Sequence, residues 1–130
     1  MSPSDIPLWQ EFLRLHGKEY TAFEYDVPVG DGIPPPEDIP DFAKKDWIAL
    51  TKKRIDVVGF KANDVEIFEI KPRAGLTALG QLLGYWTLYK KTHGNSFHIS
   101  LTLITSMLTP DERLNYDRYN IKTYVYNVPT

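Results

Sequence analysis

The chain has 130 residues, 42% hydrophobic and 25% charged, with a formal net charge of -2 and no cysteine. That length and balance suit one domain with a real core, taken as residues 1–130, and exclude a disordered, collagenous or coiled-coil chain. The cysteine count excludes disulfides, thiolate zinc sites and cysteine nucleophiles, and the slight acidity excludes a uniformly basic nucleic-acid surface. With no signal peptide and no apolar run long enough to cross a membrane, the expectation is an intracellular, cytoplasmic protein.

In chain order, Ser4 reads as an N-cap, Leu8, Phe12 and Leu15 recur at helical spacing, and Gly17 is a stop, which predicts a helix over 5–16. Residues 20–29 are rich in aromatic and β-branched side chains and read as a strand. Pro34, Pro35 and Pro36 then impose an extended loop that runs to Pro40. Residues 41–50 read as a short helix or an irregular lead-in. Residues 53–60 and 65–71 are two strands joined by a turn around Ala62-Asn63-Asp64. The clearest helix spans 76–91, with Leu79, Leu82, Leu83 and Trp86 on one stripe, and Gly94-Asn95 ends it. A strand over 97–104, a helix capped by Thr109 with Pro110, Asp111 and Glu112 in its first turn, and a strand over 121–128 complete the chain. The order α-β-β-β-α-β-α-β implies an α/β fold, a mixed sheet with helices on its faces.

Chemistry concentrates in the hairpin. Side chains of a strand alternate faces, so Val65, Ile67, Glu69 and Lys71 share one face, and Asp56, Val58 and Phe60 share one face of the partner strand. A two-residue turn at Ala62-Asn63 pairs Phe60 with Val65 and Val58 with Ile67, which sets Asp56 opposite Glu69. Two carboxylates so placed repel unless a cation lies between them, and Mg²⁺ or Mn²⁺ suits an all-oxygen donor set. A turn at Asn63-Asp64 would instead set Asp56 opposite Lys71 as an ordinary cross-strand ion pair, and a bulge at Gly59 would shift the register again. Gln81 and Tyr85, four apart, share one face of the next helix. Gly80 and Gly84 have the same spacing and would let that helix pack close to the sheet or to a ligand. Trp9, Trp47 and Trp86 read as core, and His16, His93 and His98 show no metal-ligand spacing.

The segments Arg54-Ile55-Asp56-Val57-Val58, Ile67-Phe68-Glu69-Ile70-Lys71 and Gln81-Leu82-Leu83-Gly84-Tyr85 resemble the PD-(D/E)xK nuclease superfamily, and most of all its RecB-like branch, whose Gln-x-x-x-Tyr motif lies on the following helix. The resemblance implies a restriction-endonuclease-like αβββαβ core with a C-terminal αβ addition, and metal-dependent hydrolysis of DNA phosphodiester bonds. It implies that Asp56, Glu69 and the Ile70 carbonyl hold the metal, and that Lys71 assists the attacking water or the phosphate. Gln81 would orient the site, with Tyr85 supporting it. The extra glutamate common in such enzymes would be Glu11, which falls on the apolar stripe of the first helix, or failing that Glu24. Ile55 stands where the family has proline. Arg73, Lys52, Lys53 and Arg54 would contact phosphates on the flanks, and a second copy or a partner protein would supply the rest of the DNA grip. The rival expectations are an inactive nucleic-acid-binding or assembly module of the same fold, and a protein-interaction domain whose charged hairpin is structural.

Overall fold

The computed structural model describes residues 1–94 and 96–128; Asn95, read as part of a helix stop, lies outside them. The elements are α1 (Ile6–His16), β1 (Ala22–Val29), α2 (Asp41–Thr51), β2 (Lys53–Lys61), β3 (Asp64–Arg73), α3 (Leu76–His93), β4 (His98–Met107), α4 (Pro110–Arg118) and β5 (Lys122–Val125), with a short 3-10 turn, Gly17–Glu19, after α1. The five strands lie in the order β1-β2-β3-β4-β5. The first three form an antiparallel meander, and β4 and β5 add in parallel. Each parallel step needs a crossover, supplied by α3 and α4. This is the expected α/β architecture, a mixed sheet flanked by helices.

Local chemistry explains most boundaries. Thr109 and Glu112 form a reciprocal capping box at α4. The N-cap of α1 is Asp5, not Ser4: its carboxylate accepts the Ser2 N–H at 2.9 Å, which folds the first residues back over the helix start. Residues 41–51 are helical, but none of them is buried: Phe42 and Leu50 are 85% and 81% exposed. The extended loop before α2 is tied to its end, since the Ile33 N–H donates to Thr51 Oγ1 at 2.8 Å.

The sheet has a core on each face. On one, Val58, Val65, Ile67, Leu101 and Leu103 pack against Ala78, Leu79, Leu82, Tyr85 and Tyr89 of α3. On the other, Val57, Phe68, Ile70 and Ile104 pack against Leu8, Trp9 and Phe12 of α1. That second core is aromatic: Phe68 meets Trp9 and Phe12 edge-to-face at 5.3 and 5.1 Å, contacts worth about 0.5–1.5 kcal/mol each beyond area burial. Gly59 makes no bulge. It pairs regularly with Phe23 and Glu66, and a Cβ there would lie 3.0–3.1 Å from Phe68, Tyr20 and Phe23. Glycine at this position makes room for the rings.

Two expectations about tryptophan are corrected. Only Trp9 is buried; Trp47 and Trp86 are each 36% exposed. Tyr85, not Trp86, completes the buried stripe of α3. Gly80 and Gly84 do not bring the helix close to the sheet. Both are exposed, and a Cβ at either would meet nothing within 4 Å.

Candidate active site

The register of the hairpin follows from a two-residue turn at Ala62-Asn63. Ala62 takes a positive φ of 48°, Lys61 pairs with Asp64, Phe60 with Val65 and Val58 with Ile67. The ladder ends at Val57 and Phe68. One step on come Asp56 and Glu69. There the Asp56 carboxylate reaches across and accepts the Ile70 N–H at 3.4 Å.

Strict alternation fails at this point, which the hairpin reading did not anticipate. Ile55 packs in the α3-side core and Val57 in the α1-side core, although they are two residues apart. The neighbouring strand breaks in step: Asp26 has φ 54°, and Tyr25 reaches Trp9 of α1 while Val27 and Val29 join the α3-side core. β1 and β2 therefore exchange faces together, and Asp56 sits at the crossover, a place where ordinary ladder pairing has lapsed and a side chain is free to do other work.

Asp56, Glu69, Ile70, Lys71, Arg73, Gln81 and Tyr85 line one cavity of about 440 Å³, together with Asp5 and residues beside it. Glu69 is 4% exposed. Burial, then the charge of Asp56 and the hydrogen bond between the two carboxyls, push its pKa up to about 8; Lys71 works against the rise, and Asp5 adds to it. Burial raises Tyr85 to about 12, with Glu69 and Asp56 contributing, so its phenol is protonated at neutral pH. The Gln81 Oε1 is buried without a hydrogen-bond donor.

Several expected residues are not brought to this cavity. Glu11 lies outside it, paired with Arg14 on the surface of α1. The apolar stripe of α1 consists of Leu8, Trp9 and Phe12, and Glu11 flanks it. Glu24 is exposed on β1, opposite Val58. Lys52, Lys53 and Arg54 lie at the same end of the sheet but do not line the cavity, and Arg54 is engaged by Asp26 at 3.4 Å. The carboxylate that sequence reasoning missed is Asp5, 8% exposed. The signal was present in its place just before an apolar helix, but Ser4 competed for the capping role.

Asp56, Glu69 and the Ile70 backbone offer oxygen only, and neither histidine nor sulfur lines the cavity among the described residues. Among those residues, no cluster of three or more acidic or histidine side chains stands ready to share an ion. A pair of carboxylates suits Mg²⁺, which binds through one or two of them and keeps several waters. The residues fit such an ion, and the raised Glu69 and solitary Gln81 Oε1 are what a cation and its waters would satisfy.

No family model matches the chain, and no curated protein matches it. Two solved structures do. One is the crystal structure of a repair endonuclease from Pyrococcus abyssi, with a TM-score of 0.58 and 16% identity, over 99% of this chain and 49% of that one. The other is the structure of an EndoMS complex with double-stranded DNA, with a TM-score of 0.56 and 16% identity, over 99% and 46%. The fold is one found in nucleases. The chain spans about half the length of each neighbour.

Proposed function

We propose that this chain is a metal-dependent nuclease that hydrolyses DNA phosphodiester bonds, using Mg²⁺ or Mn²⁺ held by Asp56, Glu69 and the Ile70 carbonyl. The observation that carries the reading is the placing of Asp56, Glu69 and Lys71 on the wall of one cavity, with Asp56 held to the strand of Glu69 through the Ile70 N–H. The fold shared with two endonucleases supports it, one of them solved with DNA. Gln81 and Tyr85 on the wall of the same cavity support the RecB-like assignment.

When bound, such an ion lowers the pKa of water and offsets charge on the phosphate. The chain's own groups supply the rest. Asp56 is oriented by the Ile70 N–H, so it approaches from a fixed side. Lys71 presents a mobile cation at the cavity wall, suited to an attacking water or to charge developing on phosphate. The Tyr85 phenol keeps its proton and donates. The lone Gln81 Oε1 accepts a hydrogen bond from a water or a substrate hydroxyl. Arg73, exposed at the rim with Met107 Sδ its one side-chain partner among the described residues, at 3.7 Å, takes a flanking phosphate. A second copy or a partner protein supplies further DNA contacts.

The test is cleavage of single-stranded, duplex and branched DNA with Mn²⁺, run beside Glu69→Ala and Lys71→Ala, with Mn²⁺ titration of Asp56→Ala. The reading expects metal-dependent cleavage lost in both variants and ion binding lost in the third. Cleavage that survives both substitutions overturns it; ion binding and DNA binding without cleavage would identify an inactive module.

A further inference from the structure

The far flank of α3 carries a groove that the chemistry above does not use. At 3.6 residues per turn, Trp86 lies about 140° around the helix from Gln81. Gln81 faces the catalytic cavity, whereas Leu83, Trp86 and Lys90 face the start of β4 and the α4–β5 turn. Two hollows of about 240 and 390 Å³ share Trp86, His98 and Ile99, so they lie side by side along this flank and are taken together as a channel. That size is within the range of small-ligand sites.

Its walls are chemically specific. Trp86 and Tyr119 both line it, 36% and 48% exposed. Lys90 Nζ lies over the Trp86 ring, 4.7 Å from the centroid. Asn120 adds a carboxamide on a residue held at φ 57°. Among the described residues no carboxylate lines the channel, although the chain as a whole is acidic; Asp64 approaches only as the partner of His98, at 3.7 Å. Two exposed aromatic side chains beside a lysine and free of acids match an unpaired nucleic-acid strand, whose bases offer π-faces and whose backbone offers negative charge. A duplex keeps its bases stacked on each other and cannot use the rings in this way.

We infer that the Trp86–Tyr119 channel is a second nucleic-acid site, which takes bases of a single-stranded segment by stacking, with Lys90 moving from the Trp86 ring to a phosphate. The proposal takes only its class of ligand from the nuclease reading. Between the two sites α3 presents Gly80 and Gly84, a low surface over which a strand can pass.

The experiment measures binding of a labelled oligothymidylate to the full chain in EDTA, so that cleavage does not intervene. Trp86→Ala and Tyr119→Ala should each weaken binding at least about fivefold, Trp86→Phe should restore most of it, and Lys90→Gln should lower the salt slope by about one. Unlabelled duplex should compete poorly. Folding of each variant is checked by circular dichroism. Binding unchanged in a folded Trp86→Ala/Tyr119→Ala double variant overturns the inference, as does equal competition by duplex. A double variant that alters only self-association assigns the channel to protein docking and also overturns it. Cleavage by wild type beside unaltered oligonucleotide binding in the variants defeats this inference alone. Lost binding in the variants of a chain that never cleaves DNA defeats the nuclease reading alone.

Discussion

Asp56 is held by the residue next to its partner: its carboxylate accepts the Ile70 N–H, while its charge bears on Glu69. A single peptide of β3 therefore orients one acid and carries the other. Two carboxyls held side by side repel, so the protein with no ion bound should be strained there.

The strain has a sign. The Glu69 carboxyl is raised from an ordinary 4.5 to about 8 in the folded chain, so folding favours its protonated form. The stability this contributes is fully present below about pH 4.5 and is lost as pH rises through about 8. Melting in EDTA should show stability falling across that window, and Glu69→Gln should flatten the fall. Between about pH 4.5 and pH 9 wild type should lose at least about 1.4 kcal/mol more than the variant, the worth of one pKa unit. Parallel curves for the two proteins would refute the assignment.

Glu11 and Asp5 divide cleanly. Glu11 pairs with Arg14 outside the cavity, so Glu11→Ala should leave both melting and cleavage near wild type. Asp5 lines the cavity and secures the Ser2 N–H. Asp5→Ala should weaken Mn²⁺ binding about 10- to 100-fold, as loss of a supporting group commonly does. Calorimetric titration of both variants decides, and the reverse ranking would restore Glu11.

Gln81 should separate activity from stability. Its Oε1 has no donor among the described residues, so Gln81→Leu breaks no hydrogen bond of that oxygen within the fold. The metal-free variant should melt no lower than wild type while cleavage falls at least about tenfold. A variant that melts lower and cleaves normally would make Gln81 a structural residue.

Gly80 and Gly84 should be worth more as alanine to the fold. With nothing within 4 Å of a Cβ, each substitution should stabilise α3 by about 0.5–1 kcal/mol. Thermal denaturation tests this directly. If oligonucleotide binding drops as stability rises, the bare face of α3 serves a ligand; if neither changes, the glycines have no such use.

Much of this was legible from residue types alone. A two-residue turn at Ala62-Asn63, one of the registers the residues allowed, places Phe60 opposite Val65 and Val58 opposite Ile67, with Asp56 and Glu69 one step beyond the last paired residues. Thr109, Pro110 and Glu112 announced α4 through capping chemistry. The failures share a cause: each depended on where one element lay against another. Trp86 and Tyr85 are neighbours on α3, and only the seating of the helix on the sheet decides which is buried. Asp5 became visible only when α1 placed its first turn over the end of β3. The exchange of faces at Asp26 and Asp56 is a property of two strands bending together, and a period-two pattern read on one strand cannot express it.

The hydrogen bond from Ile33 to Thr51 has a consequence for how such a chain can diversify. Residues 34–50 leave and rejoin the fold at points one bond apart, and none of the helix they contain is buried. A segment whose ends already meet can be trimmed, extended or exchanged at small entropic cost. It lies at the same end of the sheet as Asp56. None of it lines the Asp56 and Glu69 cavity, so its length can change without disturbing the carboxylates.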